Sequence, residues 1–556
     1  MADKSFDVVI IGGGNKGLVA GMYLQKYGGL DVGIFEHRHE LGGGWSSEES
    51  AAPGFIADHH STDWTFAHCE VLEQDFPFNE RGFKWVPFTV AAGGIFLEDN
   101  EQYVMYSSFF DKTQEKTAQS IARLSERDAD TWLKMWDAWD TVGRDVVLRK
   151  HMHTPALKYP EQAWELDESE KLLAHPKLKA LGIDPSFIMR SALEVGRDMF
   201  ESEALIASLL RVTHSWLGTS PDNGGGGLAF LFAPFAALEC GGVYGGTHTA
   251  AHAAYKCFIE DGGKSYAQHT VEKVLVENGR AVGVRLVDGT EIEARKAVIS
   301  TLQPSQLVFE LTEPEMWGWR IRRRVANLSK WQITITWYTW ALHEAPHYAE
   351  AAKINPDIDK TGWLSIGTKD PHALITSHCK RYLGIDVGID DENPSLIVCS
   401  HPESGGDRTR VPSGKTSILT EDFILAANRK TEKEWREYHK KHAEYVMKLM
   451  GKVAPNMTWD NVVDYTPQSP FHCARLSNMA PEGNWAVIDN IPSQIGRWRP
   501  IPELARHATP IEGLYGTGAA WHHSGGAWAG QGYNCYKVIA EDLGLPLPPK
   551  AKERGY

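Results

Sequence analysis

The chain has 556 residues, a formal net charge of −15 and seven cysteines, and these properties limit its class. Its length exceeds what one hydrophobic core supports, so at least two domains are expected. The acidic balance argues against nucleic-acid binding. The scattered cysteines include no C-x-x-C pair, which predicts a reducing compartment without a disulfide framework or a thiolate metal site. Because neither a signal peptide nor an apolar stretch of bilayer length is visible, we expect a cytoplasmic protein.

A glycine-only turn directly after an apolar run is the most informative feature of the N-terminal region. Residues 8–11 read as a buried parallel strand, and Gly12, Gly14 and Gly17 follow with the G-x-G-x-x-G spacing of a dinucleotide-binding turn. Glu36 lies 22 positions past Gly14, where a carboxylate accepts hydrogen bonds from a ribose 2′-OH. A glycine loop that merely turns the chain is the less favoured interpretation, because a helical pattern and a second strand follow.

The segment after Glu36 distinguishes a flavin from a nicotinamide. Arg38 follows two residues later, and Gly43, Gly44 and Trp45 come soon after it. An acidic residue, an Arg and then a Gly-Gly pair resemble the flavoprotein superfamily, in which these glycines pass close over the flavin pyrophosphate and ribityl. That superfamily usually has Arg or Lys after the glycine pair, where this chain has Gly44 and Trp45. The resemblance implies FAD as the cofactor.

The C-terminal region, residues 513–534, is again rich in glycine and leads into an amphipathic helix. A helix N-terminus near residues 526–532 can direct backbone N–H groups at the flavin's pyrimidine carbonyl and N1, where negative charge gathers on reduction. Together with the N-terminal turn, this loop closely resembles the phytoene-dehydrogenase-related family of FAD oxidoreductases, with Ser524 replacing the family's usual proline. The positions that match the family's terminal loop are His523, Gly525, Gly526, Gly530, Gly532 and Asn534.

A third segment, residues 241–301, fits the same family. It contains three glycine pairs and then alternating strands joined by Asn-Gly and Asp-Gly turns, which are typical of hairpins. In the family, the residue at the position of Val271 places its backbone against the adenine. The resemblance therefore implies a set of cofactor-binding residues, which comprises Gly12, Gly14, Gly17, Glu36, Arg38, Gly43, Gly44, Trp45, Val271, Gly518, Gly526 and Ala527.

Three separated cofactor segments predict a discontinuous domain with a second domain inserted into it. We predict an α/β fold with a Rossmann-like FAD-binding domain of the glutathione-reductase type, like that of flavin amine oxidases and phytoene desaturases. This domain would comprise residues 1–70, 235–305 and 481–556. An inserted α+β substrate-binding domain would comprise residues 71–234 and 306–480.

The inserted regions hold many of the 20 tryptophans. Trp132, Trp136 and Trp139 recur at helical spacing, which favours core packing over a substrate wall. Residues 332–340 alternate like a strand, and residues 228–235 are a candidate pocket wall or access flap. The face of the strand that suits the roof of a cavity carries Thr334, Thr336, Tyr338 and Trp340. An aromatic cavity for an apolar substrate is therefore the functional interpretation, against simple core packing. Peripheral membrane contact stays open, although a solvated helix with a buried Trp is favoured. The residues concerned are Trp317, Trp319, Arg320, Arg322, Arg323 and Arg324.

Two histidine pairs and their neighbours are the candidate catalytic residues. A His beside the flavin, with a pKa near neutrality, could take a proton while a hydride leaves. The resemblance places His523 and Trp521 over the ring, and Asp58 and His60 on the chain that returns beneath it. The alternative is a hydrogen-bonded His that only fixes the loop. A metal site is not expected, because adjacent histidines diverge and no ligand spacing accompanies them.

These features predict an FAD-dependent oxidoreductase that transfers a hydride between flavin N5 and a carbon of a hydrophobic, isoprenoid or alicyclic molecule. The reaction implied by the resemblance is C–C desaturation or its reverse. A diffusible acceptor such as a quinone or oxygen would exchange the electrons, because a single dinucleotide fingerprint is present. Two alternatives stay open: a flavin amine oxidase, and a non-catalytic prenyl-binding escort like the Rab GDP-dissociation inhibitors.

Overall fold

The structure, a computed structural model, describes residues 4–62, 64–389, 394–479 and 481–556, with the side chains of residues 66–69 and 401 left out. The strands are β1 Lys4–Ile11, β2 Val32–Phe35, β3 Ser47–Glu48, β4 Ala57–Asp58, β5 Trp64–Thr65, β6 Trp85–Pro87, β7 Val90–Phe96, β8 Gln102–Tyr106, β9 Cys240–Val243, β10 Lys264–Tyr266, β11 Val271–Glu277, β12 Arg280–Leu286, β13 Glu291–Ser300, β14 Ile335–Leu342, β15 Thr361–Gly367, β16 Ser395–Cys399, β17 Thr416–Phe423, β18 Val462–Gln468 and β19 Leu514–Gly516.

The helices of the same described ranges follow in chain order. They are α1 Asn15–Lys26, α2 Phe66–Asp75, α3 Glu115–Ile121, α4 Glu126–Ala138, α5 Glu168–Leu172, α6 Pro176–Ala180, α7 Ala192–Met199, α8 Glu203–Leu217, α9 Gly227–Ala237, α10 His248–Glu260, α11 Pro304–Gln306, α12 Trp319–Ala326, α13 Ala349–Ala352, α14 Ala373–Tyr382, α15 His401–Ser404, α16 Glu432–Val453, α17 Pro470–Leu476, α18 Gly530–Leu543 and α19 Pro549–Arg554. Short 3₁₀ or π turns connect several of them, and π turns continue α4 through Trp139–Gly143 and Asp145–His151.

The first sheet holds the glycine turn at the end of its central strand. Its order is β10-β2-β1-β13-β12-β11, with β19 beside β13. Strands β10, β2, β1, β13 and β19 are parallel, whereas β11 and β12 form an antiparallel hairpin against the start of β13. Both faces of β1 are buried: Val8 and Ile10 lie in one hydrophobic cluster with α1, α10 and α18, and Val9 and Ile11 lie in another. This two-sided burial explains why the strand reads as a continuous apolar run.

The second sheet collects strands from two distant parts of the chain. Its order is β18-β14-β17-β16-β15-β7-β8, and β7 and β15 are its parallel pair. Helix α16 covers one face, while α4, α8 and α9 contribute to the cluster on the other face. The predicted strand at residues 332–340 is β14. The prediction that its face with Tyr338 and Trp340 roofs a cavity is wrong, however. Tyr338 and Trp340 pack with α16, and Trp337 faces the other side.

The structure shows where the tryptophans of two predicted helical segments lie. Trp132, Trp136 and Trp139 are buried in the cluster beneath the second sheet, which confirms core packing. Trp317 is buried and donates from Nε1 to Thr312 Oγ1 (2.8 Å), whereas Trp319 begins α12 and is exposed. Within the described ranges, no helix combines the length and the apolarity that a bilayer crossing requires.

Candidate functional site

The turn between β1 and α1 contains three glycines whose steric surroundings differ. Gly12 has a φ of +90°, which favours glycine. A Cβ on Gly17 would lie 2.3 Å from the Gly12 carbonyl oxygen, so the helix approaches the turn too closely for any side chain. Gly14 differs, because the nearest atom to a Cβ there is Gly43 Cα at 4.0 Å. The protein thus leaves space over Gly14, at the N-terminus of α1.

Glu36 closes the turn from the end of β2. Its Oε2 accepts a hydrogen bond from Gly13 N (2.7 Å) and its Oε1 accepts one from Arg38 N (2.8 Å). The carboxylate is half-buried and keeps lone pairs for a ribose hydroxyl. The Arg38 guanidinium lies 3.7 Å from both Glu40 and Glu48.

The glycine-rich segment after Glu36 packs directly on the turn. Gly42 donates from N to the Gly13 carbonyl (2.9 Å), and Gly43 has a φ of +55°. A Cβ on Gly43 would lie 2.8 Å from Gly14 Cα, so this segment needs glycine for close backbone contact. Trp45 is buried and donates from Nε1 to the Ala527 carbonyl (2.7 Å).

The C-terminal loop is hydrogen-bonded to the first turn of α1. Lys16 Nζ donates to the Gly526 carbonyl (2.5 Å), and Asn15 Nδ2 donates to the Ala527 carbonyl (2.9 Å). A Cβ on Gly44 would lie 3.4 Å from Ala527 Cβ, so the middle segment touches this loop as well. We call residues 12–17, 42–45 and 523–528 the cofactor clamp. The clamp brings an N-terminal and a C-terminal segment of the chain together at the N-terminus of α1.

Val271 and Gly518 lie at two further edges of the first sheet. Val271 begins β11, directly after residues whose N–H groups donate to the carbonyls of Glu36 and Arg38. Gly518 has a φ of +121°, and a Cβ there would lie 2.5 Å from the Thr301 carbonyl oxygen. Gly518 is therefore required for close packing at the end of β13, next to the turn.

The clamp fits the pyrophosphate of a dinucleotide. The open space over Gly14 lies at a helix N-terminus that has no acidic residue in its first turn and no side-chain cap, and such a terminus attracts an anion. Lys16 adds a buried amine, and burial, together with Arg499, lowers the pKa of Lys16 to about 7. An anion beside it would stabilise the charged form.

A cavity of about 350 Å³ adjoins the clamp. Its walls include Phe232 and Leu228 of α9, which agrees with the predicted pocket wall, and residues 523–528 of the clamp. Most of its lining is apolar, and it includes seven tryptophans, namely Trp64, Trp216, Trp337, Trp363, Trp485, Trp498 and Trp528. Clamp and cavity therefore share a wall.

His523 and His60 both line this cavity. His523 is buried, and its Nδ1 lies 3.0 Å from Ser524 Oγ. The ring of His60 meets the ring of Trp337 edge-on, with centroids 5.5 Å apart. Burial lowers the pKa of His60 to about 3, so its imidazole is neutral at physiological pH. Both residues can contact a molecule in the cavity.

Asp58 and Trp521 lie outside the described cavity lining, and their expected place beside the reacting atoms stays a prediction. Asp58 accepts from Arg410 Nη1 (2.6 Å) and from Thr247 N (2.8 Å), so it forms a buried ion pair. Trp521 is fully buried in the cluster below the first sheet, where its ring lies against Gly516 and stacks near His507. Their positions indicate structural contacts.

Glu421 is the cavity residue that sequence reasoning missed. It lies on β17 between Leu419 and Phe423, both of which point into the core beneath the second sheet. The missed signal was a carboxylate at an inward position of an alternating strand. Among the described residues, no group of three His, Cys, Asp or Glu side chains is placed to hold a metal ion.

Comparisons with known proteins agree with the site. Residues 10–68 match the NAD(P)-binding Rossmann-like domain family. The chain is 23% identical to a limonene dehydrogenase subunit of Castellaniella defragrans, over 98% of this chain and 96% of that protein. It is 27% identical to the pyridine nucleotide-disulfide oxidoreductase domain-containing protein 2 of Mus musculus, over 97% and 94%.

Solved structures show the same fold at low sequence identity. A crystal structure of an oxidoreductase from Methanosarcina mazei has a TM-score of 0.59 at 14% identity, covering 96% of this chain and 99% of that one. Cyclohexylamine oxidase from Brevibacterium oxydans has a TM-score of 0.56 at 14% identity, covering 97% and 99%. The predicted α/β fold with a Rossmann-like domain is confirmed. The full-length matches to proteins named dehydrogenase and oxidoreductase support the prediction of an oxidoreductase enzyme.

Proposed function

We propose that this chain is an FAD-dependent oxidoreductase that dehydrogenates a CH–CH group of an apolar alicyclic or isoprenoid molecule, or catalyses the reverse saturation. The observation that carries the proposal is the wall shared by the cofactor clamp and the tryptophan-rich cavity. A cofactor held by the clamp would border the space in which an apolar molecule fits. The resemblance to the phytoene-dehydrogenase-related family and the similarity to a limonene dehydrogenase subunit support the same substrate class.

The clamp residues fit FAD by their own chemistry. Glu36 would accept hydrogen bonds from the ribose, and the N–H groups at the start of α1 would face the pyrophosphate across Gly14. Val271 would lie along the adenine. The start of α18 at Gly530 would direct its positive dipole end at the reduced ring. When bound, FAD supplies a two-electron acceptor for a hydride.

The cavity residues would orient the substrate and exclude water. Large indole rings contribute apolar area, and a dry cavity strengthens every electrostatic contact inside it. His523 would hold or move a proton at Nδ1, where Ser524 fixes the ring. The electrons would then pass to a diffusible acceptor such as a quinone or oxygen.

Reconstitution with FAD tests the first half of the proposal. Purified protein mixed with FAD and then freed of excess cofactor should keep the visible absorbance of oxidised flavin. A colourless protein would reject the enzyme and favour a binding protein of the same fold.

Anaerobic bleaching of the bound flavin tests the second half. We expect bleaching by limonene and related cyclic hydrocarbons or ketones, with formation of the desaturated product. If amines alone bleach the flavin, the protein is an amine oxidase instead.

A further inference from the structure

Three cavity-lining residues form a single polar site within the apolar walls. Glu421 of β17 accepts a hydrogen bond from Trp337 Nε1 of β14 (3.0 Å) and another from Ser215 Oγ of α8. Trp337 and Glu421 are directly opposed on neighbouring antiparallel strands. All three residues line the cavity.

The remaining carboxylates of the described cavity lining have other partners. Asp167 caps α5 by accepting from Glu170 N (2.9 Å), and the Glu170 carboxylate accepts from Asp167 N (2.8 Å). Glu170 also pairs with Arg497 at 3.0 Å. These two residues therefore hold the helix start. Glu421 instead stands on the sheet, among the aromatic walls.

Burying a carboxylate is costly unless hydrogen bonds satisfy it, and cavities that bind apolar ligands use few polar groups to fix orientation. Glu421 is 6% exposed, and its oxygens accept hydrogen bonds from donors on two other elements, Trp337 of β14 and Ser215 of α8. The strand position between Leu419 and Phe423 would suit an apolar side chain for packing alone. A carboxylate at this place is therefore best explained by contact with the cavity's ligand.

Resting on the proposed function, we infer that Glu421 is the catalytic base that takes the substrate proton, and that Ser215 and Trp337 position it. Desaturation breaks two C–H bonds. The electron pair of one leaves as a hydride and reduces FAD by two electrons. The pair of the other becomes the new π bond, and its proton goes to a Glu421 oxygen. Positive charge that develops on carbon as the hydride departs is stabilised by the carboxylate and by the indole faces.

Glu421→Gln tests this role, because it keeps the size and hydrogen-bonding capacity of the side chain and removes the base. With limonene as the probe, flavin bleaching and product formation should slow by about 10²–10⁴-fold, the usual contribution of a positioned base. Substrate affinity, read from the perturbed flavin spectrum, should change less than threefold. Deuterium at the proton-losing carbon should slow the variant more than the wild type.

Two further variants separate catalysis from folding. Ser215→Ala removes one positioning donor while keeping the carboxylate, and we expect about tenfold slower turnover. Asp422→Asn makes the same kind of change one residue along β17, on the opposite face, where Asp422 lies 3.1 Å from His442. It should leave bleaching unchanged.

The outcomes distinguish this inference from the function on which it rests. If the wild type is bleached by limonene and Glu421→Gln is bleached at the same rate, Glu421 is not the base. If no hydrocarbon or ketone bleaches the wild type, and no unsaturated counterpart reoxidises its reduced flavin, the proposed function fails first. If amines alone bleach it, and Glu421→Gln raises KM without changing kcat, Glu421 binds an ammonium group, which overturns both.

Discussion

The cofactor clamp and the substrate cavity share a wall, yet they are built on opposite principles. The clamp consists of backbone carbonyls, N–H groups and glycines whose spacing follows from close approach, as at Gly17 and Gly43. The cavity consists of side chains from α8, α9, β14 and β17, which are far apart in sequence. Backbone geometry restricts residue type at fixed positions, whereas a cavity wall accepts any large apolar residue. The first region therefore tolerates less change than the second.

A buried ion pair connects Asp58 of β4 to Arg410, which precedes β17, and breaking it should have the largest effect on stability. Arg410 pairs with Asp58 (2.6 Å) and Asp407 (3.1 Å), and its Nη2 donates to the Val243 carbonyl (2.6 Å). Arg410→Met leaves two buried carboxylates without this partner, so the free energy of unfolding should fall by about 3–5 kcal/mol. Urea denaturation of the FAD-loaded protein measures this loss of stability.

A neighbouring arginine provides the control for that measurement. Arg408 pairs with Glu403 at 2.9 Å, but its side chain is 58% exposed. Arg408→Met should cost less than about 1 kcal/mol, as surface pairs do. Equal losses for the two variants would show that the buried pair stabilises the fold no more than the exposed pair does.

Substituting a clamp glycine should separate cofactor binding from folding. A Cβ at Gly14 has 4.0 Å of space, so Gly14→Ala should fold normally. If the pyrophosphate crosses this space, FAD affinity should fall about 10- to 100-fold, equivalent to about 1.4–2.7 kcal/mol. Fluorescence titration with FAD measures the affinity, and thermal unfolding of the apoprotein checks that the variant folds normally.

Gly17→Ala is the opposite case. Its Cβ would lie 2.3 Å from the Gly12 carbonyl, so the apoprotein itself should lose stability by about 1–3 kcal/mol. If, in contrast, Gly14→Ala binds FAD as tightly as the wild type does, the pyrophosphate does not cross the space over Gly14.

The contrast between the clamp and the cavity also explains which features could be predicted from the sequence. The turn, the glycine segment and the terminal loop were predictable, because each carries a local pattern imposed by backbone contact. Glu421 was not, since its meaning arises only when α8 and β14 are brought to β17 by long-range pairing. Asp58 and Trp521 lie off the cavity wall for the related reason that closeness in sequence to the clamp does not place a side chain there.

His523 belongs to both regions, because it lies in the clamp loop and lines the cavity. His523→Gln keeps a hydrogen-bonding group beside Ser524 but cannot exchange a proton at neutral pH. If His523 moves a proton during turnover, flavin bleaching should slow about tenfold, or about 1.4 kcal/mol, with FAD retained. Bleaching at the wild-type rate would assign His523 to loop structure alone.

Lys16 offers the most specific test, because its charge responds to what the clamp holds. Its pKa is lowered to about 7 by burial and by Arg499, from the ordinary lysine value of 10.5. Above pH 7 the folded apoprotein releases this proton while the unfolded chain keeps it. Unfolding free energy should therefore rise with pH between about 7 and 10, by at most about 1.4 kcal/mol per pH unit from this group.

Lys16→Met removes that contribution, so the wild type minus the variant isolates it from Lys537, whose pKa is also lowered to about 7 by burial. Denaturant titrations of both apoproteins at about pH 6 and pH 9 should show the variant gaining relative stability at the lower pH. Bound FAD should flatten the difference, because a pyrophosphate near Nζ stabilises the ammonium in the folded state. A pH dependence that FAD leaves unchanged would place the anion away from Lys16, and the clamp would then hold its ligand through backbone groups alone.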